Sequence, residues 1–178
     1  MMNFLKRRAK PSHDAYAVVT GAGSGIGRSF ALELTRRNGV VICADVNLDG
    51  ARETVALIEQ LGGRAYAVHC DVGNADAVRE LSEQAESLLG HPVTLLINNA
   101  GVGLGGKFTD TSLEDWKWCM HVNLWGVING CHAFVPGFKK LGRGAIINVA
   151  SAASYTAAPE MSAYNVTKAG VRALSETL

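Results

Sequence analysis

A phenol and an ammonium stand four residues apart in "YNVTK", Tyr164 to Lys168. On an α-helix such residues share one face, about 6 Å apart along the axis. A tyrosine hydroxyl can give and take a proton, but an ordinary pKa of about 10 makes it a poor base near neutrality. Lowering that value by about three units takes roughly 4 kcal/mol. A lysine charge about 4 Å away supplies up to about 4 kcal/mol at an effective dielectric near 20. The pair can therefore do acid–base chemistry. A plainer reading is a surface aromatic packed by a lysine stem. Ser151 favours the first: it follows the apolar run "GAIINVA", and ligands bind beyond the carboxyl ends of strands in open α/β sheets.

A second group lies near the other end of the chain. "TGAGSGIG", Thr20 to Gly27, falls where an apolar run gives way to a helical pattern. Gly21, Gly25 and Gly27 can take backbone angles closed to other residues and let a ligand come close. The helix starting there offers unpaired N–H groups and a positive dipole end, which suits a pyrophosphate. The G-x-x-x-G-x-G spacing fits neither the common G-x-G-x-x-G fingerprint nor a P-loop, which would need Gly at Ala22 and Lys at Arg28. A tight structural turn could use the same glycines. Asp45 closes the next apolar run, at about the ~20-residue offset where an acid bonds adenosine ribose hydroxyls. A carboxylate there would repel the 2′-phosphate of NADP, and "DVNLDG" brings no Arg or Lys to pair with one. The alternative for Asp45 is an acid that opens the next helix.

These groups need elements to hold them. Apolar runs at 15–20, 40–45, 64–72, 93–98 and 144–150 alternate with helical patterns. The first three patterns, at 28–38, 48–61 and 75–89, stop at Gly39, Gly62–Gly63 and Gly90. The capping-box pattern "TSLE", Thr111 to Glu114, opens a long helix running towards Phe138, and Pro159 suits the first turn of the last helix. The runs are continuously apolar rather than alternating, so the strands are buried on both faces in a parallel sheet sandwiched by helices. The fold class is α/β, a three-layer doubly wound parallel sheet with five strands. It forms one domain over residues 15–178, behind a flexible basic tail of residues 1–14.

Composition excludes other classes. A net charge of +1 gives no field favouring nucleic acid or an anionic membrane, and there is no basic face or aromatic ladder. No apolar run nears the ~20 residues of a membrane span, and the first residues lack a signal stretch. The basic run "KRRAK", Lys6 to Lys10, reads as part of the solvated tail. A soluble, cytoplasmic protein is expected. Cys43, Cys70, Cys119 and Cys131 form no C-x-x-C pair and suit buried reduced thiols. His69, Cys70 and Asp71 alternate across a strand and cannot converge on one ion, so no metal is expected. Ser12, His13 and Asp14 are consecutive and cannot form a hydrolytic relay.

From Ala15 to its last residue the chain resembles the short-chain dehydrogenase/reductase family. The motifs "TGAGSGIG", Asp45, "CDV" with Asp71 and Val72, "NNAG" from Asn98 to Gly101, Asn123 in "HVNLWG", Ser151 and "YNVTK" stand in the family's order. The resemblance implies a Rossmann-like fold, NAD as cofactor and a small secondary alcohol or ketone as substrate. It implies that Gly21, Ser24 and Ile26, with Gly25 and Gly27 in the same turn, line the pyrophosphate. Asp71 and Val72 would hold the adenine, and Asn99, Ala100 and Gly101 would flank the adenosine and ribose, while Asn98 braces the sheet. Tyr164 would be the general acid/base. Lys168 would lower its pKa and bond the nicotinamide ribose, and Ser151 would donate to the substrate oxygen. Asn123 would hold a water in a proton relay from Lys168. Tyr155 is a candidate pocket wall. A homodimer or homotetramer is implied, paired through the long helix and the final one, with Trp116, Val127 and Leu174 as surplus apolar positions.

The closing "SETL" reads as the middle of a helix, with no Gly, Asn or Pro to end it. Family members usually continue with a sixth strand, a mobile lid and a seventh strand. The chain therefore reads as a fragment in which the fifth strand is an open apolar edge. Two function classes stay open: an NAD-dependent alcohol/ketone oxidoreductase, and a non-catalytic dinucleotide-binding module or inactive truncated fragment.

Overall fold

The computed structural model describes residues 10–178. Most of the basic run Lys6–Lys10 lies outside the described residues. Strands β1 (Tyr16–Thr20), β2 (Val40–Asp45), β3 (Arg64–His69), β4 (Leu95–Asn98) and β5 (Ala145–Asn148) form one sheet in the order β3-β2-β1-β4-β5. Every pairing is parallel; Val18 of β1 aligns with Ile42 of β2 and Leu96 of β4, and Leu96 aligns with Ile146 of β5. The chain lays β2 and β3 outward on one side of β1, then returns to lay β4 and β5 on the other. That reversal leaves a crevice beyond the carboxyl ends of β1 and β4, where open α/β sheets bind ligands.

The pleat sorts the strand residues between two cores. Ala17, Val19, Val41, Cys43, Leu95 and Ile97 pack against Ala31 and Leu34 of α1 (Gly25–Arg36) and Ala51 and Ile58 of α2 (Leu48–Gln60). Val18, Ile42, Ala44, Val68 and Leu96 face Val78, Leu81 and Ala85 of α3 (Ala75–Leu89) and Phe134 of α5 (Gly126–Leu141). This is the three-layer sandwich expected of buried parallel strands. A smaller cluster, Val127, Cys131 and Val171, joins α5 to α6 (Ser162–Thr177). All four cysteines are free and buried; burial pushes the Cys43 thiol up to about 12 and, with Asp71 beside it, Cys70 to about 11.

Several local expectations are corrected. Helix α1 begins inside the glycine turn, at Gly25 rather than Arg28. The capping box lies one residue later than "TSLE": Ser112 Oγ accepts from the Asp115 N–H at 3.1 Å, and the Asp115 carboxylate accepts from the Ser112 N–H. The long helix runs from Leu113 through to Leu141, with a π-helical stretch inside it. It comprises α4 (Leu113–Met120), a π-helical segment (His121–Trp125) and α5. Pro159 lies in the turn before α6 rather than in its first turn. Residues 10–14 form a turn against the end of α1, where Arg37 Nη1 donates to Ser12 Oγ at 3.0 Å and its carbonyl accepts from the Asp14 N–H. Val127 is buried and Leu174 packs against its cluster, so both serve the chain's own α5–α6 contact, and Trp116 meets Phe108 edge-on. Trp116 is half-buried there, and Phe108 is exposed.

Candidate active site

The crevice is a cleft of about 1200 Å³, and its walls contain every residue the sequence assigns to cofactor contact. Its floor is the glycine turn. Gly21 has φ +65°, and a Cβ there would lie 2.8 Å from Ala100 Cα, so only glycine fits between β1 and β4. Gly25, at φ +52°, has nothing within 4 Å of its Cβ direction and leaves room for a ligand. Ser24 is the N-cap of α1 but its side chain caps nothing. The first-turn N–H groups of Gly25, Ile26 and Gly27 are thus without an intrahelical partner, at the positive end of the helix.

Thr20 and Asn99 stitch the turn to β4. Thr20 Oγ1 accepts from the N–H groups of Asn99 (3.0 Å) and Ala100 (3.2 Å). Asn99 Nδ2 donates to the carbonyls of Thr20 (2.9 Å) and Gly21 (3.2 Å). Asn99 therefore forms cleft wall while its amide protons serve the protein. Asn98 braces the sheet as expected, donating to Asn148 Oδ1 at 2.9 Å. At one end of the cleft, Asp45 Oδ2 accepts from the Gly23 N–H at 2.7 Å and Oδ1 from the Asn47 N–H at 2.8 Å. Asp71 Oδ1 accepts from the Gly73 N–H at 2.9 Å beside Val72.

At the other end stand Ser151, Tyr164 and Lys168. Ser151 follows β5 and its Oγ accepts from the Ala153 N–H at 3.2 Å. Tyr164 and Lys168 are one turn apart on α6, with Nζ 5.8 Å from the phenol ring centroid. Lys168 is only 4 % exposed and donates to the Val149 carbonyl at 2.8 Å. Burial holds its pKa below the ordinary value, partly offset by the Cys119 thiol.

Asn123 does not reach the cleft wall. It is fully buried in the π-helical segment: Nδ2 donates to the Val102 carbonyl (2.9 Å) and Thr167 Oγ1 (3.3 Å), and Oδ1 accepts from the Val102 N–H (2.7 Å). With its amide protons engaged, the side chain clamps the loop after β4. Tyr155 is 76 % exposed and lies under Arg172, 4.6 Å from its ring centroid, outside the cleft wall. Sequence reasoning missed Thr20 and Thr167, whose hydroxyls bond to neighbouring backbone and side chains. It also missed Trp118 and His121 in the cleft wall. Their three-residue spacing puts both on one helix face, a signal that was available.

The chain is 39% identical over 166 residues to the "Probable oxidoreductase EphD" of Mycobacterium tuberculosis, covering 93% of this chain and 28% of that protein. It is 37% identical over 161 residues to the "Cyclohexanol dehydrogenase" of an Acinetobacter species, covering 90% of this chain and 64% of that one. A short chain dehydrogenase/reductase from Burkholderia phymatum, solved in complex with NAD, superposes with a TM-score of 0.90 at 37% identity, over 94% of this chain and 60% of that one. The chain thus spans less than two thirds of the length of each of these relatives. Residues 15–178 match the short chain dehydrogenase family, and with this sheet and cleft the chain belongs to it.

Proposed function

We propose that this protein is an NAD-dependent oxidoreductase that interconverts a secondary alcohol and its ketone. The observation behind this reading is that Ser151, Tyr164 and Lys168 reach the same cleft as the glycine turn and Asp45. The chain's residues suit the dinucleotide: Gly25 to Gly27 present N–H groups to a pyrophosphate, and the Asp45 carboxylate stands ready to accept from ribose hydroxyls. When bound, the nicotinamide exchanges a hydride with the carbinol carbon.

The protein's part is proton transfer and charge placement. Because Ser151 Oγ already accepts from the Ala153 N–H, its own proton is available to donate to the substrate oxygen. Tyr164 takes the alcohol proton, or returns it to the ketone. The Lys168 ammonium stands 5.8 Å from the Tyr164 ring centroid, one turn along α6. Val149 orients it, and among the described residues no carboxylate pairs with it. Asn123 holds the Val102 backbone in the wall beside them. The cyclohexanol dehydrogenase relative makes cyclohexanol the first alcohol to try. The test is NAD reduction, followed by nicotinamide absorbance, with cyclohexanol and a panel of secondary alcohols on the full natural chain. Turnover of at least one is expected; none across the panel, with NAD bound, would leave a dinucleotide-binding module instead.

A further inference from the structure

The glycine turn has two halves that the protein treats differently. From Gly25 to Gly27 the N–H groups are open to the cleft. In Ala22–Gly23, by contrast, every backbone group is taken. The Ala22 N–H donates to the Ala44 carbonyl at 3.1 Å, and the Ala22 carbonyl accepts from Thr54 Oγ1 at 2.8 Å. The Gly23 N–H donates to Asp45 Oδ2, and the Gly23 carbonyl accepts from Arg28 Nη2. Arg28 is fixed in turn: Nε donates to Thr54 Oγ1 at 3.0 Å, and Nη2 lies 3.0 Å from Glu53 Oε2. Thr54 is fully buried on α2. Gly23 sits so close to Asp45 that a Cβ would lie 2.8 Å from Oδ2.

We infer that Arg28 and Thr54 are positioning residues for cofactor selection: by fastening Ala22–Gly23 to α2 they hold the Asp45 carboxylate where it accepts ribose hydroxyls and repels a 2′-phosphate. The inference rests on the NAD reading above. Asp45 has two backbone anchors, the N–H groups of Gly23 and Asn47. Once the Gly23 peptide is free to rotate, the carboxylate loses one charge-assisted bond and samples rotamers that turn it from the ribose. Affinity for NAD then falls, and NADP is rejected less. The same network holds the Arg28 guanidinium through Nε and Nη2 against Gly23, Thr54 and Glu53.

The test is calorimetric binding of NAD and of NADP to the full natural chain and three variants. Arg28→Lys keeps the charge and loses the planar fork. Thr54→Val keeps the volume and loses the hydroxyl, and Thr54→Ser restores it. Arg28→Lys and Thr54→Val should each raise the Kd for NAD about tenfold, the scale of one lost hydrogen bond. Both should also narrow the preference for NAD over NADP, and Thr54→Ser should stay near the wild type. Unchanged affinities, or equal losses for both cofactors with the preference intact, would overturn the inference while leaving the NAD reading standing. Should Arg28→Lys fail to fold, Thr54→Val decides alone. A wild-type chain that binds neither dinucleotide would sink the NAD reading and this inference with it.

Discussion

The two ends of the cleft are built to different standards. At the dinucleotide end strand β4 is buried at all four residues, and the glycine turn is stitched to β2, α2 and β4 through Asp45, Arg28, Thr54, Thr20 and Asn99. At the catalytic end, no residue of β5 is buried and Ile147 is 42 % exposed. The α5–α6 contact there rests on the small cluster of Val127, Cys131 and Val171. Among the described residues three buried polar atoms lack a partner: Asn165 Oδ1 and Arg172 Nε on α6, and Asn98 Oδ1 on β4. The glycine turn is thus held by saturated backbone bonds, while Tyr164 and Lys168, the proposed proton-transfer groups, stand on an element with less packing and a buried charge.

The largest effect should come from chemistry rather than packing. Tyr164→Phe keeps the ring and loses the hydroxyl, so turnover should fall about 10²–10⁴-fold while NAD affinity and melting temperature stay near wild type. Steady-state kinetics beside NAD calorimetry separates the two; near-normal activity would return the pair to a surface aromatic beside a lysine stem.

Packing should then divide the two ends. Leu96→Ala in the fully buried β4 should cost about 2–5 kcal/mol. Ile147→Ala on β5 should cost well under about 1 kcal/mol, since much of the side chain is already in water. Urea unfolding of both variants measures the contrast, and equal losses would erase it.

A smaller effect is expected in cofactor choice. With Asp45 fixed at the ribose end and Arg28 committed, NAD should bind at least about tenfold more tightly than NADP. Titration of both decides this, and an NADP preference of that size would contradict the assignment of Asp45.

The subtlest prediction concerns Lys168. Burial lowers its folded pKa below the ordinary 10.5. Between the two values the unfolded chain binds more protons, so this group makes stability rise with pH as it approaches 10.5 from below; the cost of the buried ammonium is fully present below that window. Lys168→Met removes the cost, so at neutral pH the variant should be no less stable than the wild type, while turnover and NAD affinity fall. Comparing melting temperatures of the two chains across the alkaline range cancels the buried thiols. A variant clearly less stable at neutral pH would show that the Val149 bond outweighs the burial cost.

Much of this protein was legible in its residues. The apolar runs marked all five strands to within a few positions; β1, β2 and β4, buried on both faces, have little room for polar groups. Two of the glycine stops were legible too, Gly62 and Gly90 taking positive φ, whereas after α1 it is Asn38 rather than Gly39 that does. Boundaries set by bonds between distant residues were not. Nothing local marks the π-helical stretch at His121–Trp125 within the long helix, where Asn123 turns inward to the Val102 backbone. The capping box was displaced because Asp115, not Glu114, lies three residues from Ser112, the residue that caps.

By itself the sequence determined the layers, the parallel sheet and the identity of the groups that can do chemistry, since periodicity and residue type act locally. Tertiary structure alone decided that those groups share one cleft, because the reversal between β1 and β4 brings residues 20–27 beside 98–101 and carries β5 and α6 to the same sheet end. It also decided which polar side chains are free and which are spent. Asn99, Asn123 and Arg28 all carry donors suited to a ligand, and all three spend them on backbone carbonyls of the protein, a choice fixed by buried carbonyls that need partners wherever the fold places them.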